Sequence, residues 1–196
     1  MQDSDKAALR REVRLAYGGE EARRRESDAL CAHLTAWDQF READVVAGYL
    51  PLPREADVTP ALLSVLSSGR TLALPRIGAR PEMTMRWVRE LSELVCGPMG
   101  LMEPPEDAEI LPPESLSLVI VPLEALDQRG MRLGKGAGYY DAYLRRTVCM
   151  TVGAAMSWQW RETVPAGTWD VPLWAAADAA GIHLFEDAMR KERTAR

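Results

Sequence analysis

Histidine and cysteine are scarce in this chain of 196 residues. Two histidines, His33 and His183, and three scattered cysteines, Cys31, Cys96 and Cys149, form no CxxC pair. That set argues against a zinc site. An odd number of widely spaced thiols is not a disulfide framework and suits reduced cysteines in a cytoplasmic protein. Positive charge is not in excess either: 24 Lys and Arg against 29 Asp and Glu leave a formal charge of −5. Nucleic acid, which needs concentrated positive charge, is therefore not an expected partner, and any anion site must be local. The run Arg23-Arg24-Arg25 is followed by Glu26 and Asp28 and reads as a solvated helix face. No apolar run is long enough for a membrane span, and the polar start Met1-Gln2-Asp3-Ser4-Asp5-Lys6 lacks a signal-peptide core. With no internal repeat and no long linker, the length suits one domain over residues 1–196, expected to be a monomer.

What is present is an alternation of helical and strand patterns. Ser4 is placed to cap a first helix beginning near Asp5, with Ala8, Leu9, Val13 and Leu15 or Ala16 on its apolar side, and Gly18-Gly19 ends it. A second helix is expected from Glu20 to Trp37, burying Ala22, Ala29, Leu30, Leu34 and Trp37. Strands are expected at Val45–Leu50, Thr71–Pro75, Met83–Val88, Leu118–Val121, Val148–Gly153, Trp174–Ala177 and Ile182–Phe185. Thr59 is placed to cap a helix with Pro60 at its start and Gly69 beyond its end. Met83, Met85 and Trp87 share one side of a strand, a stripe that could wall a ligand pocket but more often marks core packing. The charged tail from Asp187 is expected to fray. This order argues for an α/β fold with a largely parallel sheet covered on both faces.

One stretch stands out: Arg132-Leu133-Gly134-Lys135-Gly136-Ala137-Gly138-Tyr139-Tyr140-Asp141. Alternating glycines free the backbone to approach a ligand and expose their amides. Arg132 and Lys135 add positive charge, and a helix begins at the tyrosines. Such a loop suits an anion, most naturally a polyphosphate. It is neither a Walker A loop nor the dinucleotide fingerprint. Elsewhere, Lys6 and Arg10 lie four residues apart and share a helix face. Glu55 follows a strand end, where open α/β sheets bind ligands.

Together with its lead-in, the loop resembles the signature of 5-formyltetrahydrofolate cyclo-ligases, also called methenyltetrahydrofolate synthetases. Val121, Pro122, Ala125, Asp127, Gly130, Arg132 to Gly134, Gly136 and Gly138 to Asp141 match its pattern. Lys6-Ala7-Ala8-Leu9-Arg10 is similar to the family's opening motif, and Gly100-Leu101-Met102-Glu103-Pro104 to a weaker internal one. Leu50 and Glu55 have the spacing of its substrate contacts. Near Asp170 the family has a polar residue where this chain has Trp169.

The resemblance runs from Lys6 to about Phe185. It implies a three-layer, Rossmann-like fold of the sugar-phosphate isomerase and CoA-transferase type. It implies ATP- and Mg²⁺-dependent closure of 5-formyltetrahydrofolate to 5,10-methenyltetrahydrofolate. ATP would be held by Lys6, Arg10 and the run Arg132, Leu133, Gly134, Lys135, Gly136, Ala137, Gly138, Tyr139 and Tyr140, with Arg132 and Lys135 stabilising the transferred charge. Leu50 and Glu55 would place the pterin, and Asp141 and Asp170 would support the metal. Glu55 is a candidate general base and no more. Two other readings share the fold: a non-catalytic folate- or nucleotide-binding protein, and a phosphoryl-transfer enzyme with another small substrate.

Overall fold

A computed structural model describes residues 2–97 and 100–185. The tail from Asp187 and the pair Pro98-Met99 lie outside those residues. The helices are α1 (Gln2–Leu15), α2 (Glu20–Ala36), α3 (Asp38–Glu42), α4 (Thr59–Ser67) and α5 (Tyr139–Leu144). The strands are β1 (Val45–Ala47), β2 (Thr71–Ile77), β3 (Met83–Val88), β4 (Val95–Cys96), β5 (Met102–Glu103) and β6 (Ile110–Leu111), then β7 (Leu118–Val121), β8 (Ala125–Leu126), β9 (Arg132–Leu133), β10 (Met150–Ala154), β11 (Ala175–Asp178) and β12 (Gly181–Leu184).

Eight of these strands form one sheet in the order β12-β11-β10-β7-β1-β2-β3-β6. The middle of that sheet, from β11 through β2, is parallel. Antiparallel pairs close it on both sides, at β11–β12 and at β2–β3–β6. Period-2 alternation divides the core. Val46, Leu72, Leu74, Leu118, Ile120 and Val152 point to the face covered by Leu30 and Leu34 of α2 and Leu62 of α4. Ala47, Ala73, Val119, Val121 and Ala176 point to the other face, where Tyr143 and Leu144 of α5 pack. This is the expected α/β arrangement, with apolar strands buried on both faces.

Some local expectations are corrected. Ser4 is not an N-cap: α1 already runs through Gln2, and the Ser4 hydroxyl donates to its neighbour Asp5 at 3.3 Å. Nor does Thr59 cap α4: its own amide donates to Asp57 Oδ1 at 3.0 Å, so the aspartate two residues earlier supplies the acceptor. Ala22, Ala29 and Trp37 are only half-buried, and α2 instead buries Glu26, Ser27 and Cys31 beside its leucines. Glu26 is useful there because both its oxygens accept bonds from Ser157, from the amide and the hydroxyl, at 2.8 Å each. Met83 and Met85 are core residues, whereas Trp87 is half-buried under the Arg89 guanidinium, 4.0 Å from its ring centroid.

The hairpin of β8 and β9 positions the glycine loop, and one buried carboxylate builds it. Asp127 is fully buried and accepts from the amides of Arg129, Met131 and Val164 at 2.9, 3.1 and 2.9 Å, and from the Arg129 guanidinium. Gly130 completes the turn at φ 75°. A Cβ there would stand 2.6 Å from the Leu173 carbonyl oxygen, so only glycine fits. Gly130→Ala is expected to lose about 2–4 kcal/mol, combining left-handed strain with overpacking. Urea unfolding checks this, and a loss below about 1 kcal/mol would mean that the turn relaxes freely.

Candidate active site

The loops leaving the carboxyl ends of β1 and β7 meet. The first carries Leu50 and Glu55, and the second leads through the β8–β9 hairpin to Gly134–Gly138. Lys135 reaches across and pairs with Glu55 at 3.0 Å, joining residues 80 positions apart. The Glu55 carboxylate is buried, and its other oxygen accepts the Leu52 amide at 2.8 Å. Leu50 is half-buried against the core.

α1 docks on the same loop. Arg10 Nε donates to the Gly134 carbonyl at 2.8 Å, and its guanidinium lies over Gly136, 3.2 Å from where a Cβ would sit. Gly136 has φ 101° and Gly138, which precedes α5, has φ 81°, so both need the freedom of glycine. Arg80, from the β2–β3 connection, donates to the carbonyls of Gly136 and Ala137 at 2.6 and 2.8 Å. Nothing in the sequence pattern singles out Arg80, because its partner is backbone 56 residues away.

The remaining charges are paired in the same neighbourhood. Arg132 is buried, contacts Asp141 at 2.9 Å and donates to the Val171 carbonyl at 2.9 Å. Its Nε is buried without a partner. Lys6 pairs with Asp170 at 2.6 Å. The Val171 amide donates to Asp141 at 3.4 Å, so the turn at 167–171 brings the two aspartates, 29 positions apart, around one arginine. Burial opposes ionisation of Asp170, but the Gly167 amide, Lys6 and Arg132 outweigh it and hold the carboxyl below its ordinary value. Trp169 is 70% exposed; its ring lies under the Arg145 guanidinium at 4.4 Å and its carbonyl accepts from the same side chain. The tryptophan thus ties its turn to the end of α5 while Asp170 faces Lys6.

Tyr140 contributes a buried hydroxyl with no partner. Burial, reinforced by the nearby Glu55 charge, pushes its phenol far above the ordinary value, so it stays a proton donor. Tyr139 packs against the core beside it. Leu133 is buried and contributes packing. Next to Glu55 and Lys135 opens a cavity of about 320 Å³, also walled by Arg14, Tyr17, Arg54 and Trp158. Tyr17 and Trp158 meet edge to face there, ring centroids 5.6 Å apart. Its volume is at the lower end of the range for small-molecule sites. Tyr17 and Trp158 carry no sequence signal for this role, since an aromatic in an irregular stretch has no pattern to read.

Among the described residues, no cluster of three or more His, Cys, Asp or Glu side chains stands ready to cage a metal. A pair of carboxylates such as Asp141 and Asp170 is a donor set of the kind Mg²⁺ takes, since that ion draws most of its ligands from water or a bound anion.

The 5-formyltetrahydrofolate cyclo-ligase family profile matches residues 2–177. The chain is 32% identical over 137 residues to the 5-formyltetrahydrofolate cyclo-ligase of Escherichia coli K12, covering 67% of this chain and 75% of that one. It is 28% identical over 155 residues to the mouse cyclo-ligase, covering 74% of this chain and 76% of that one. The NMR structure of Aquifex aeolicus 5,10-methenyltetrahydrofolate synthetase superimposes with a TM-score of 0.82 at 32% identity, covering 93% of each chain. The methenyltetrahydrofolate synthetase of Mycoplasma pneumoniae shares the fold with a TM-score of 0.72 at 20% identity, over 89% of this chain and 99% of that one.

A pH prediction follows from Asp170. Its folded pKa lies below the unfolded value, so its pairing stabilises the fold fully above the ordinary aspartate value of about 3.9. That contribution disappears as the pH falls through the depressed folded value. Asp170→Asn should therefore melt below the parent at neutral pH, with the difference closing in acid. A difference that stays constant down to about pH 2.5 would contradict the assignment. With the profile spanning most of the chain and relatives above 30% identity, this protein belongs to the 5-formyltetrahydrofolate cyclo-ligase family.

Proposed function

We propose that the protein closes 5-formyltetrahydrofolate to 5,10-methenyltetrahydrofolate, using ATP and Mg²⁺ and releasing ADP and phosphate. The observation that carries this reading is the 3.0 Å contact between Lys135 and Glu55. A loop suited to phosphate and a carboxylate suited to a pterin donor edge touch, so two substrates bound there would bring a terminal phosphate beside the formyl group.

The chemistry explains the need for ATP. The formyl group is an amide, whose carbon is a poor electrophile and whose oxygen is a poor leaving group. The formyl oxygen attacks the terminal phosphorus, the bond to ADP breaks, and an iminium phosphate remains on N-5. The N-10 lone pair then attacks the activated carbon. The C–O bond breaks, phosphate leaves with its electron pair, and the N-10 proton passes to the departing phosphate.

In this reading Lys6, Arg10, Lys135 and the loop amides hold the phosphates, and the buried Arg132 adds its positive charge behind them. Glu55 and Leu50 orient the pterin beside the cavity of about 320 Å³. Tyr140 offers its protonated hydroxyl next to Glu55. Asp141 and Asp170 are the side chains that fit Mg²⁺, which when bound neutralises charge on the phosphate oxygens. Asp141 also orients Arg132 through their 2.9 Å ion pair.

The test of function is methenyl absorbance with 5-formyltetrahydrofolate, Mg²⁺ and ATP. Product should accumulate only with ATP, one ADP for each ring closed. Folate binding without ATP-dependent product would instead support a non-catalytic binding protein. Among variants, Lys6→Ala should weaken ATP binding by about 1.5–3 kcal/mol while sparing folate, the cost of a lost charge-assisted contact. Asp141→Asn should raise the Mg²⁺ concentration needed for activity. An unshifted magnesium titration removes Asp141 from the metal site and leaves it as the partner of Arg132.

A further inference from the structure

Each of three cations expected at the nucleotide phosphates is already held by a carboxylate expected elsewhere. Lys6 is held by Asp170 at 2.6 Å, Arg132 by Asp141 at 2.9 Å and Lys135 by Glu55 at 3.0 Å. The first two acids stand on the metal side. The third stands on the folate side, so the Lys135–Glu55 pair lies between the two substrates.

We infer that Lys135 is a shared partner, bound to Glu55 in the free protein and to nucleotide phosphate in the complex, so that nucleotide and folate each tighten the other's binding. This rests on the functional reading above. Of the two Glu55 oxygens, Oε2 already accepts the Leu52 amide at 2.8 Å, and Oε1 carries Lys135. Oε1 has no backbone donor, so a pterin N–H that uses it competes directly with Lys135. Folate arriving first has to displace an ammonium from a carboxylate whose side chain is only 8% exposed. Nucleotide arriving first draws Lys135 to its phosphates and leaves that buried charge without its counter-ion. A buried carboxylate in that state gains more from a new hydrogen-bond donor than one already paired.

Lys135 is able to make the exchange. Its side chain is 38% exposed, and it sits between Gly134 and Gly136 rather than in the β8–β9 ladder. The anchors of the loop are other residues: Arg10 on the Gly134 carbonyl and Arg80 on those of Gly136 and Ala137. Moving the lysine head therefore leaves the loop backbone held. Linkage requires the effect to be equal in both directions.

The test is isothermal titration of 5-formyltetrahydrofolate into the protein, with and without a saturating non-hydrolysable ATP analogue and Mg²⁺. The wild type should bind folate about 5- to 20-fold tighter with the nucleotide present, at the lower end of ordinary couplings because the lysine is partly screened by solvent. Lys135→Met should bring that ratio close to one, and should do so by tightening folate binding in the absence of nucleotide, since no ammonium then has to be displaced. A merely structural lysine would not produce that gain. Lys135→Arg should keep most of the ratio. Lys6→Ala, whose acid is Asp170, should weaken nucleotide binding and keep the ratio. Lys135→Gln gives the same reading as Lys135→Met if the methionine variant does not fold. A wild-type ratio near one, or an unchanged ratio without the lysine charge, overturns the inference and leaves the functional reading intact. Absence of any folate binding by the wild type overturns both.

Discussion

A charge taken partly out of water must find an opposite charge or a set of hydrogen bonds, and the candidate site is organised by that requirement. Glu55, Arg132 and Asp170 are all largely withdrawn from solvent, and each has a partner from a different part of the chain. Their ionic partners come from α1, from the glycine loop and from the start of α5, and the turn at 167–171 adds the Val171 carbonyl to Arg132. Apolar packing sets the sheet and its covering helices. Ion pairing then fixes how four peripheral segments converge at the carboxyl ends of β1 and β7.

The same economy governs the loop itself. A flexible glycine run would sample many shapes if left alone. Here it is tethered at both sides by arginines that take its carbonyls, and its approach is fixed by the Asp127 turn. Carbonyls occupied in this way leave the loop's amides as the groups available to an anion. The cost of ordering the backbone is met by the protein before a ligand arrives, which is the physical meaning of a preorganised site.

Much of this was legible in the sequence because the signals were local. The buried strands read as short apolar runs, and Met83–Val88 was recovered with its ends intact. The glycine loop was visible because its spacing is chemical as well as structural. The parts that were not legible depend on partners distant in the chain. Asp127 looked like one more motif position, yet it is a buried acceptor whose donors include Val164, 37 residues on. Arg80 and Trp158 carry no pattern, and become significant only when the fold brings Arg80 to Gly136 and Trp158 to Tyr17. Capping was misplaced at Ser4 and Thr59 for a related reason. A hydroxyl at a helix start is a permissive signal, and a neighbouring aspartate or one more turn of helix overrides it.

The central claim is that the paired cations around Gly134–Gly138 form the nucleotide site. Amide hydrogen exchange with and without a non-hydrolysable ATP analogue and Mg²⁺ tests it without depending on turnover. Protection should rise at the amides of residues 134–138, with smaller effects in α1 around Lys6 and Arg10 and in the turn at Asp170, while α3, which leads into the amino end of β1, is unchanged. Nucleotide-dependent protection that leaves the glycine loop untouched and appears elsewhere would contradict the account.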